Sequence, residues 1–249
     1  MNYQMIESLP IEGILINLLV PASGYFLIAG CAYLMCYKYL RNKLIDKKIQ
    51  NTFPDNSVVK REIYHSIRTI FIWAIGGLII VVAVKLGYTK IYMVLEKFGW
   101  GYLVVCVVVM VVVHDTYFYW AHRLMHHPLI YKHTHVTHHK FTNPTPWSAF
   151  TFGPMEAILQ FGIIPLFVFT FPLHWSAVAI FILNMIAINV LGHLGFELFS
   201  KKFISSWLGR LSNTSTHHNI HHIKPKCNFG LYFIIWDRWM NTEEKINKN

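Results

Sequence analysis

Histidine is the residue type whose number and spacing suggest chemistry in this sequence. The chain of 249 residues contains 15 histidines, and 12 of them fall within residues 114–139 or 217–222. A neutral imidazole is the commonest side-chain ligand of transition metals in proteins. The clustering therefore indicates a metal site, and the spacing within each cluster shows which rings could share it.

Four spaced motifs define the candidate ligands. His122 and His126 have i, i+4 spacing, which places both rings on one face of a helix. An HxxHH motif occupies residues 135–139, and a second one occupies residues 218–222. Asn189 and His193 repeat the i, i+4 spacing. The minimal set of predicted metal ligands is nine histidines: His122, His126, His135, His138, His139, His193, His218, His221 and His222.

Nine imidazoles are too many for one ion, because a structural zinc site uses four ligands. They suit two ions, and a nitrogen-rich site without a nearby cysteine favours iron or another imidazole-binding metal. Carboxylates near the motifs could accept the second N–H of a ligating ring and fix its tautomer. These carboxylates are Asp115, Glu156, Glu197 and Asp237. Additional or outer contacts to the metals are predicted for Asn189, His114, His217, Glu197 and Asp115.

The elements that must position these residues are membrane helices. The sequence is 54% hydrophobic and 14% charged, whereas soluble domains carry about 25% charged residues. Single apolar stretches long enough to cross about 30 Å of hydrocarbon cover residues 14–37, 69–86 and 100–121. A further apolar block at 155–191 is broken at Pro165 and at residues 172–174. This block predicts a helical hairpin that either spans the membrane or re-enters it.

Lysine and arginine place the histidines on one side of the membrane. The net charge is +10, and the basic residues are concentrated between the first two spans. The positive-inside rule assigns that loop to the cytoplasm. Counting spans from this loop places every histidine motif at the cytoplasmic face. A bacterial inner membrane and an endoplasmic reticulum membrane fit equally.

The predicted fold class is all-α. We expect a polytopic membrane helical bundle of about four or five spans, counting the hairpin, with a cytoplasmic histidine-rich cap. One integral membrane domain is expected over residues 1–249. Its N-terminal spans lie in residues 1–99, and the histidine-box catalytic region lies in residues 100–242.

The histidine region resembles the fatty acid hydroxylase superfamily, which includes sterol desaturases and C4-methyl sterol oxidases. That family carries HxxxH, HxxHH and HxxHH boxes in this order, a Gly-His near the end of the last membrane helix, and a closing Asn-Tyr/Phe-Gly and Trp-Asp segment. Beyond the boxes, the chain has Gly192-His193, Asn228-Phe-Gly230 and Trp236-Asp237. Many members have His-Pro-x-Glu after the second box, where this chain has Gly153-Pro-Met-Glu156. The resemblance covers roughly residues 100–242.

This resemblance implies a membrane-bound di-iron oxygenase that hydroxylates or desaturates a lipid C–H bond. Two iron ions held by the nine histidines would act with O₂, and no catalytic residue beyond the metal ligands is expected. The substrate would be of the sterol, fatty acid or sphingolipid type. Because the sequence shows no cytochrome b5, flavin or ferredoxin segment, we expect a separate electron donor such as cytochrome b5 or ferredoxin with a reductase. No motif for nucleic acid is present.

Two other functions fit histidine clusters in a membrane protein. A metal transporter or storage protein would use them for capture, but a transporter needs polar or ionisable residues along its spans. The apolar stretches offer few of these: Asn17, Lys85, Asn184 and Asn189. A zinc hydrolase needs a catalytic glutamate and usually three protein ligands, and the HExxH motif is absent. Bound iron with an O₂-dependent product would separate the oxygenase from both.

Overall fold

The computed structural model describes the backbone of residues 11–244 and the side chains of residues 19–244. Four helices in this part are long and apolar enough to cross a membrane: Leu19–Tyr39, Asn56–Lys85, Gly99–Met125 and Trp175–Gly192. The chain is thus a polytopic helical membrane protein, which confirms the predicted fold class. The ends of the predicted 1–249 domain and the side chain of Asn17 lie outside the described residues.

The two N-terminal spans are longer than their apolar stretches. Helix α1 covers Ile11–Tyr33 and continues as a π-helical turn at Leu34–Tyr39. Helix α2 covers Asn56–Lys85, so it begins 13 residues before the predicted span at residue 69. The extra turns carry the basic residues and Glu62, and they extend the helix beyond the apolar stretch.

Helix α3, Gly99–Met125, carries the first histidine box at its end. It runs one turn past the predicted 100–121 span, and the backbone N–H of His126 donates to the carbonyl of His122 at 3.1 Å. The second box follows in a short helix, α4, at Val136–His139. The ten residues between the two helices, 126–135, form consecutive hydrogen-bonded turns, which keep the two boxes adjacent in space.

The block predicted to break at Pro165 breaks at Gly162 instead. Helix α5 covers Pro154–Phe161 and helix α6 covers Ile163–Thr170. Pro165 lies in the first turn of α6, where a missing N–H costs no intrahelical hydrogen bond. At Gly162, an added Cβ would lie 2.7 Å from the hydroxyl of Tyr117, so the close approach of α3 requires glycine.

The second predicted break is confirmed. Strand β2, Leu173–His174, pairs in parallel with strand β1, Ile91–Tyr92, in register Ile91 with Leu173. Helix α7 then covers Trp175–Gly192 and ends at His193. Within this block, α7 alone meets the length of a full span, whereas α5 and α6 together cover Pro154–Thr170 as a shorter apolar pair.

The remaining helices are short. Helices α8 and α9 cover Lys201–Ser205 and Trp207–Leu211, and α11 covers Ile235–Trp239. Helix α10, Ser215–Ile223, carries the third histidine box and begins with a capping box between Thr214 and His217. Such a cap satisfies N–H groups of the first turn and fixes where the helix starts.

The main core joins α1, α2 and α7 to a 3-10 turn at Pro146–Phe150. The ring of Tyr25 stacks on Phe150 with centroids 4.7 Å apart, and its hydroxyl donates to the carbonyl of Trp147 at 2.6 Å. Glu62 accepts from the backbone N–H of Thr145 at 3.1 Å and contacts the Thr145 hydroxyl. The N-terminal spans therefore fix the segment 145–152, which lies directly beside the histidines.

Candidate metal centre

The nine predicted histidines come together in two adjoining groups. These residues lie on four elements: the end of α3, the short helix α4, the C-terminus of α7 and helix α10. Within each group, one nitrogen from every ring lies within 4.8 Å of the others. The five-histidine group is His122, His126, His135, His139 and His221, and the four-histidine group is His138, His193, His218 and His222.

The rings point their Nε2 atoms at one another. In the five-histidine group, the Nε2 of His139 lies 3.0 Å from that of His221 and 3.1 Å from that of His126. In the four-histidine group, the Nε2 of His193 lies 2.9 Å from that of His218 and 3.1 Å from that of His138. Each group thus surrounds a common centre with nitrogen atoms.

These spacings fit a metal ion. A metal–imidazole bond of about 2.1 Å places two ligands at right angles about 3.0 Å apart. The closest Nε2 pairs of both groups are separated by 2.9–3.2 Å. Each group contains histidines only. The donor set therefore suits an ion that prefers imidazole, and the two groups together suit two such ions.

The HxxHH motifs each serve both groups. Successive residues of a helix point about 100° apart, so the paired histidines of one box face different centres. His138 belongs to the four-histidine group and His139 to the other; His222 and His221 divide in the same way. The rings of His139 and His222 are 5.1 Å apart. The two centres are consequently neighbours in a single site.

Backbone carbonyls accept hydrogen bonds from the Nδ1 atoms of three of the rings. The Nδ1 of His122 donates to the carbonyl of Phe229 at 2.9 Å, and that of His221 donates to Cys227 at 2.6 Å. The Nδ1 of His193 donates to the carbonyl of Asn189 at 2.8 Å. A carbonyl can only accept, so Nδ1 carries the proton and the lone pair of Nε2 faces the centre.

Two side chains hold further rings. The Nδ1 of His135 lies 2.6 Å from the Oε1 of Glu156, and both side chains are buried. The Nδ1 of His138 lies 3.1 Å from the Oγ1 of Thr151, which donates to the carbonyl of Ser148 at 2.9 Å. Because that hydroxyl proton is used, Thr151 accepts from His138. Both rings are thereby oriented with Nε2 towards the metals.

Burial keeps the imidazoles neutral. Eight of the nine are buried, and His126 is partly exposed. Burial lowers the pKa of His193 to about 4 and that of His139 to about 4. Burial and the neighbouring rings of His221 and His139 lower the pKa of His126 to about 2. At neutral pH these rings are in the deprotonated form that binds metal.

The other candidates lie outside both groups and have structural partners. His114 faces the hydroxyl of Tyr232 at 2.9 Å, and Asp115 accepts from the backbone N–H of Tyr232 at 2.9 Å. His217 contacts the hydroxyl of Thr214 at 3.0 Å as part of the helix cap. Glu197 accepts from the hydroxyl of Thr216 at 2.7 Å. Asn189 contributes its backbone carbonyl to His193.

Among the four carboxylates predicted to orient imidazoles, Glu156 is the one with a histidine contact in the described part of the chain. Asp237 instead accepts from the backbone N–H groups of Phe229 and Gly230, both at 2.8 Å. Asp237 therefore acts on His122 indirectly, because it fixes the loop that presents the Phe229 carbonyl to that ring. Sequence reasoning missed the carbonyls and Thr151, since every residue carries a carbonyl and an isolated threonine gives no signal.

Comparison with known proteins identifies the family that the histidine region resembles. The family model described as fatty acid hydroxylase matches residues 107–242, which include all nine histidines. The chain resembles a Delta(7)-sterol 5(6)-desaturase of Gibberella zeae, with 32% identity over 63% of this chain and 47% of the relative. No solved structure matches.

Two further relatives extend the match into the N-terminal spans. A lathosterol oxidase of Rattus norvegicus is 31% identical over 86% of this chain and 70% of its own length. A Delta(7)-sterol 5(6)-desaturase of Leptosphaeria maculans is 30% identical over 94% of this chain and 62% of its own. The chain thus spans from about half to about two thirds of these relatives. This protein belongs to the fatty acid hydroxylase family.

Proposed function

We propose that this protein is a membrane-bound di-iron oxygenase that hydroxylates or desaturates a lipid C–H bond. Membership of the family supports an oxidoreductase. The observation that carries the di-iron proposal is the convergence of nine imidazoles into two adjoining groups. When bound, the iron pair would supply the oxidising power, drawn from O₂ and two electrons, that no side chain possesses.

The chain's own residues would hold and orient the metals. Five histidines would bind one iron and four the other, as in the two groups described above. Glu156, Thr151 and three backbone carbonyls keep Nε2 directed inward, and such partners commonly change metal affinity or activity by 10–100-fold. Burial of the rings would exclude water from the centre and leave the space beside the metals to the lipid.

A cavity between the membrane helices supports a lipid substrate. It has a volume of about 470 Å³ and lies among α1, α2, α5, α6 and α7. Its walls are mostly aliphatic and aromatic, as in Ile70, Trp73, Phe161 and Ile182. Such a space takes up an apolar body and excludes a charged one. The names of the relatives favour a sterol or a lipid of similar shape, with fatty acyl and sphingoid lipids as the other classes.

The two electrons would come from a separate donor, such as cytochrome b5 or ferredoxin with its reductase. The basic loop after α1 supports a cytoplasmic orientation, because lysine and arginine favour that side. With that orientation, the histidines would face the compartment where such donors are found. An integral position in the bacterial inner membrane or the endoplasmic reticulum follows from the same proposal.

The competing functions are less well supported by the site. A transporter must release its metal along a polar path, whereas the histidines here form closed, mostly buried groups. A zinc hydrolase needs a glutamate free to activate water. Glu156 is the carboxylate nearest the histidines, and it is already engaged with His135.

The deciding experiment uses the full chain in lipid nanodiscs, loaded with ferrous iron and supplied with reduced ferredoxin and its reductase. Extracted membrane lipids are incubated under ¹⁸O₂ and analysed by mass spectrometry. We expect about two irons per chain and a lipid that has gained ¹⁸O or lost two hydrogens. Iron-loaded protein that forms no O₂-dependent product with sterol, acyl or sphingoid lipids would contradict the proposal, and metal uptake by sealed vesicles would favour the transporter.

A further inference from the structure

The apolar cavity has one amide in its wall. Gln160 lines it, and the other polar groups of the lining are the indoles of Trp73 and Trp175. The indole N–H of Trp73 is already used, since it donates to the carbonyl of Ala157 at 2.7 Å. A glutamine in such a wall is unexpected, because aliphatic residues would fill the same space without burying a polar group.

The amide of Gln160 is buried and incompletely paired. The residue is 5% exposed, and its Nε2 has no hydrogen-bond partner among the described residues. A buried donor without an acceptor is costly, so native structures rarely keep one unless a ligand or water completes it. The cavity beside Gln160 is where such a ligand would lie.

The position of Gln160 connects the cavity to the histidines. Glu156 and Gln160 have i, i+4 spacing on α5 and therefore share one face of the helix. Through its Oε1, Glu156 contacts His135 at 2.6 Å, while its buried Oε2 has no hydrogen-bond partner in residues 19–244. Two polar side chains thus lie one helical turn apart on one face of α5, with Gln160 in the cavity wall and Glu156 beside a ring of the five-histidine group.

We propose that Gln160 is a specificity-determining residue that binds a hydroxyl oxygen of the lipid in this cavity, with the Oε2 of Glu156 as the second partner. A hydroxyl group satisfies both atoms, because it accepts from the amide and donates to the carboxylate. The inference rests on the proposed function in taking the occupant to be the lipid substrate. It adds that the substrate carries its hydroxyl at the end nearest the metals.

The test measures binding to the metal-free full chain in detergent micelles, so it does not depend on turnover. Tritiated probes are used as two matched pairs: cholesterol with 5-cholestene, and hexadecanol with hexadecane. The members of each pair differ only in the hydroxyl. We expect the wild-type protein to prefer the hydroxylated member of at least one pair by about 3–10-fold, as one or two buried hydrogen bonds would provide.

The key variant is Gln160→Met, which keeps the length of the side chain and removes the amide; Gln160→Leu serves if the first does not fold. In either variant, we expect the ratio of affinities for the hydroxylated and the unhydroxylated probe to fall to about 1. Met185→Leu is the matched control, because it alters the cavity wall without touching a polar group. This substitution should change the affinities for both members of a pair by the same factor and leave their ratio unchanged.

Each result is decisive. A preference that persists in Gln160→Met would overturn the role of the amide. A ratio near 1 in the wild type for both pairs would overturn the proposal that Gln160 and Glu156 bind a lipid hydroxyl. An intact preference without an O₂-dependent product would leave the binding site standing and sink the oxygenase proposal alone.

Discussion

His138 and His139 are consecutive in the chain, yet their imidazoles face different centres. The Nε2 of His138 lies 3.1 Å from that of His193, and the Nε2 of His139 lies 3.0 Å from that of His221. A single peptide bond therefore joins a ligand of one proposed metal position to a ligand of the other. Any shift of α4 would displace a ligand from both positions at once, so the short helix sets the spacing of the pair.

The first prediction concerns these two residues. We expect His138→Ala to weaken the four-histidine position and His139→Ala to weaken the five-histidine position, because each removes one ring from one group. Both should abolish turnover, and iron analysis should find fewer than two irons per chain. His133→Ala is the control, since His133 is exposed and belongs to neither group. Full iron content in either test variant would remove that histidine from the ligand set.

The second prediction concerns Glu156. Glu156→Gln replaces the carboxylate beside the Nδ1 of His135, so the ring loses the negative charge that raises its basicity. Metal affinity, measured by competition with a chelator, should fall by about 10–100-fold. Glu197→Gln is the matched control, because Glu197 contacts Thr216 and lies outside both histidine groups. Equal affinities in the two variants would show that Glu156 has no orienting role.

The third prediction concerns the anchor of the segment 145–152. Glu62→Ala removes the acceptor of the buried Thr145 N–H, which should lower the free energy of unfolding by about 1–3 kcal/mol. Glu62→Gln retains an acceptor oxygen and should lower the free energy of unfolding by less. Thermal unfolding of the purified protein measures both. Glu96→Ala, at an exposed position, is the control and should leave the melting temperature unchanged.

The fourth prediction concerns pH in the metal-free protein. A histidine in the unfolded chain titrates near pH 6.5, whereas burial lowers the pKa of His139 and of His193 to about 4 in the folded state. Between these values the unfolded chain binds more protons, so stability is complete above about pH 6.5 and falls as the pH is lowered towards 4. The melting temperature after chelator treatment should therefore be lower at pH 5 than at pH 7.5. A melting temperature that is equal or higher at pH 5 would contradict this prediction.

The fifth prediction concerns the volume of the cavity. Gly77 lines the cavity, and a Cβ built there would meet no atom within 4 Å. Gly77→Leu should therefore fill the lipid space without a clash, and lipid turnover should fall at least tenfold while the protein still folds. Gly101→Leu is the matched control, since Gly101 is an exposed helical glycine with the same open surroundings. Retained turnover in Gly77→Leu would place the substrate elsewhere.

Sequence spacing was sufficient to predict which histidines converge. The structure brings together all nine rings that the i, i+4 and HxxHH patterns select. A shared helix face accounts for the i, i+4 pairs, whereas the i+3 histidine of each HxxHH box belongs to the other group. The spans followed from hydropathy, although their ends did not. Helix α2 begins at Asn56 because a helix can continue in basic residues beyond the apolar stretch. The helix of the apolar block is interrupted at Gly162, where the hydroxyl of Tyr117 packs closely.

The partners of the rings were less predictable, because they depend on tertiary distances. Asp115 and Asp237 lie near histidines in sequence but bind backbone N–H groups of the closing segment. Glu156 reaches His135 only because α5 packs beside α4. The cavity and the unpaired amide of Gln160 likewise arise from the packing of separate helices, which no local pattern records.

The carbonyls that hold His122, His193 and His221 belong to Phe229, Asn189 and Cys227. Every amino acid supplies such an oxygen, so the hydrogen bonds that direct these three rings do not depend on which side chains those residues carry. The direction of the rings can therefore persist while residues elsewhere around the proposed metal positions change, and with them the shape of the space offered to a lipid.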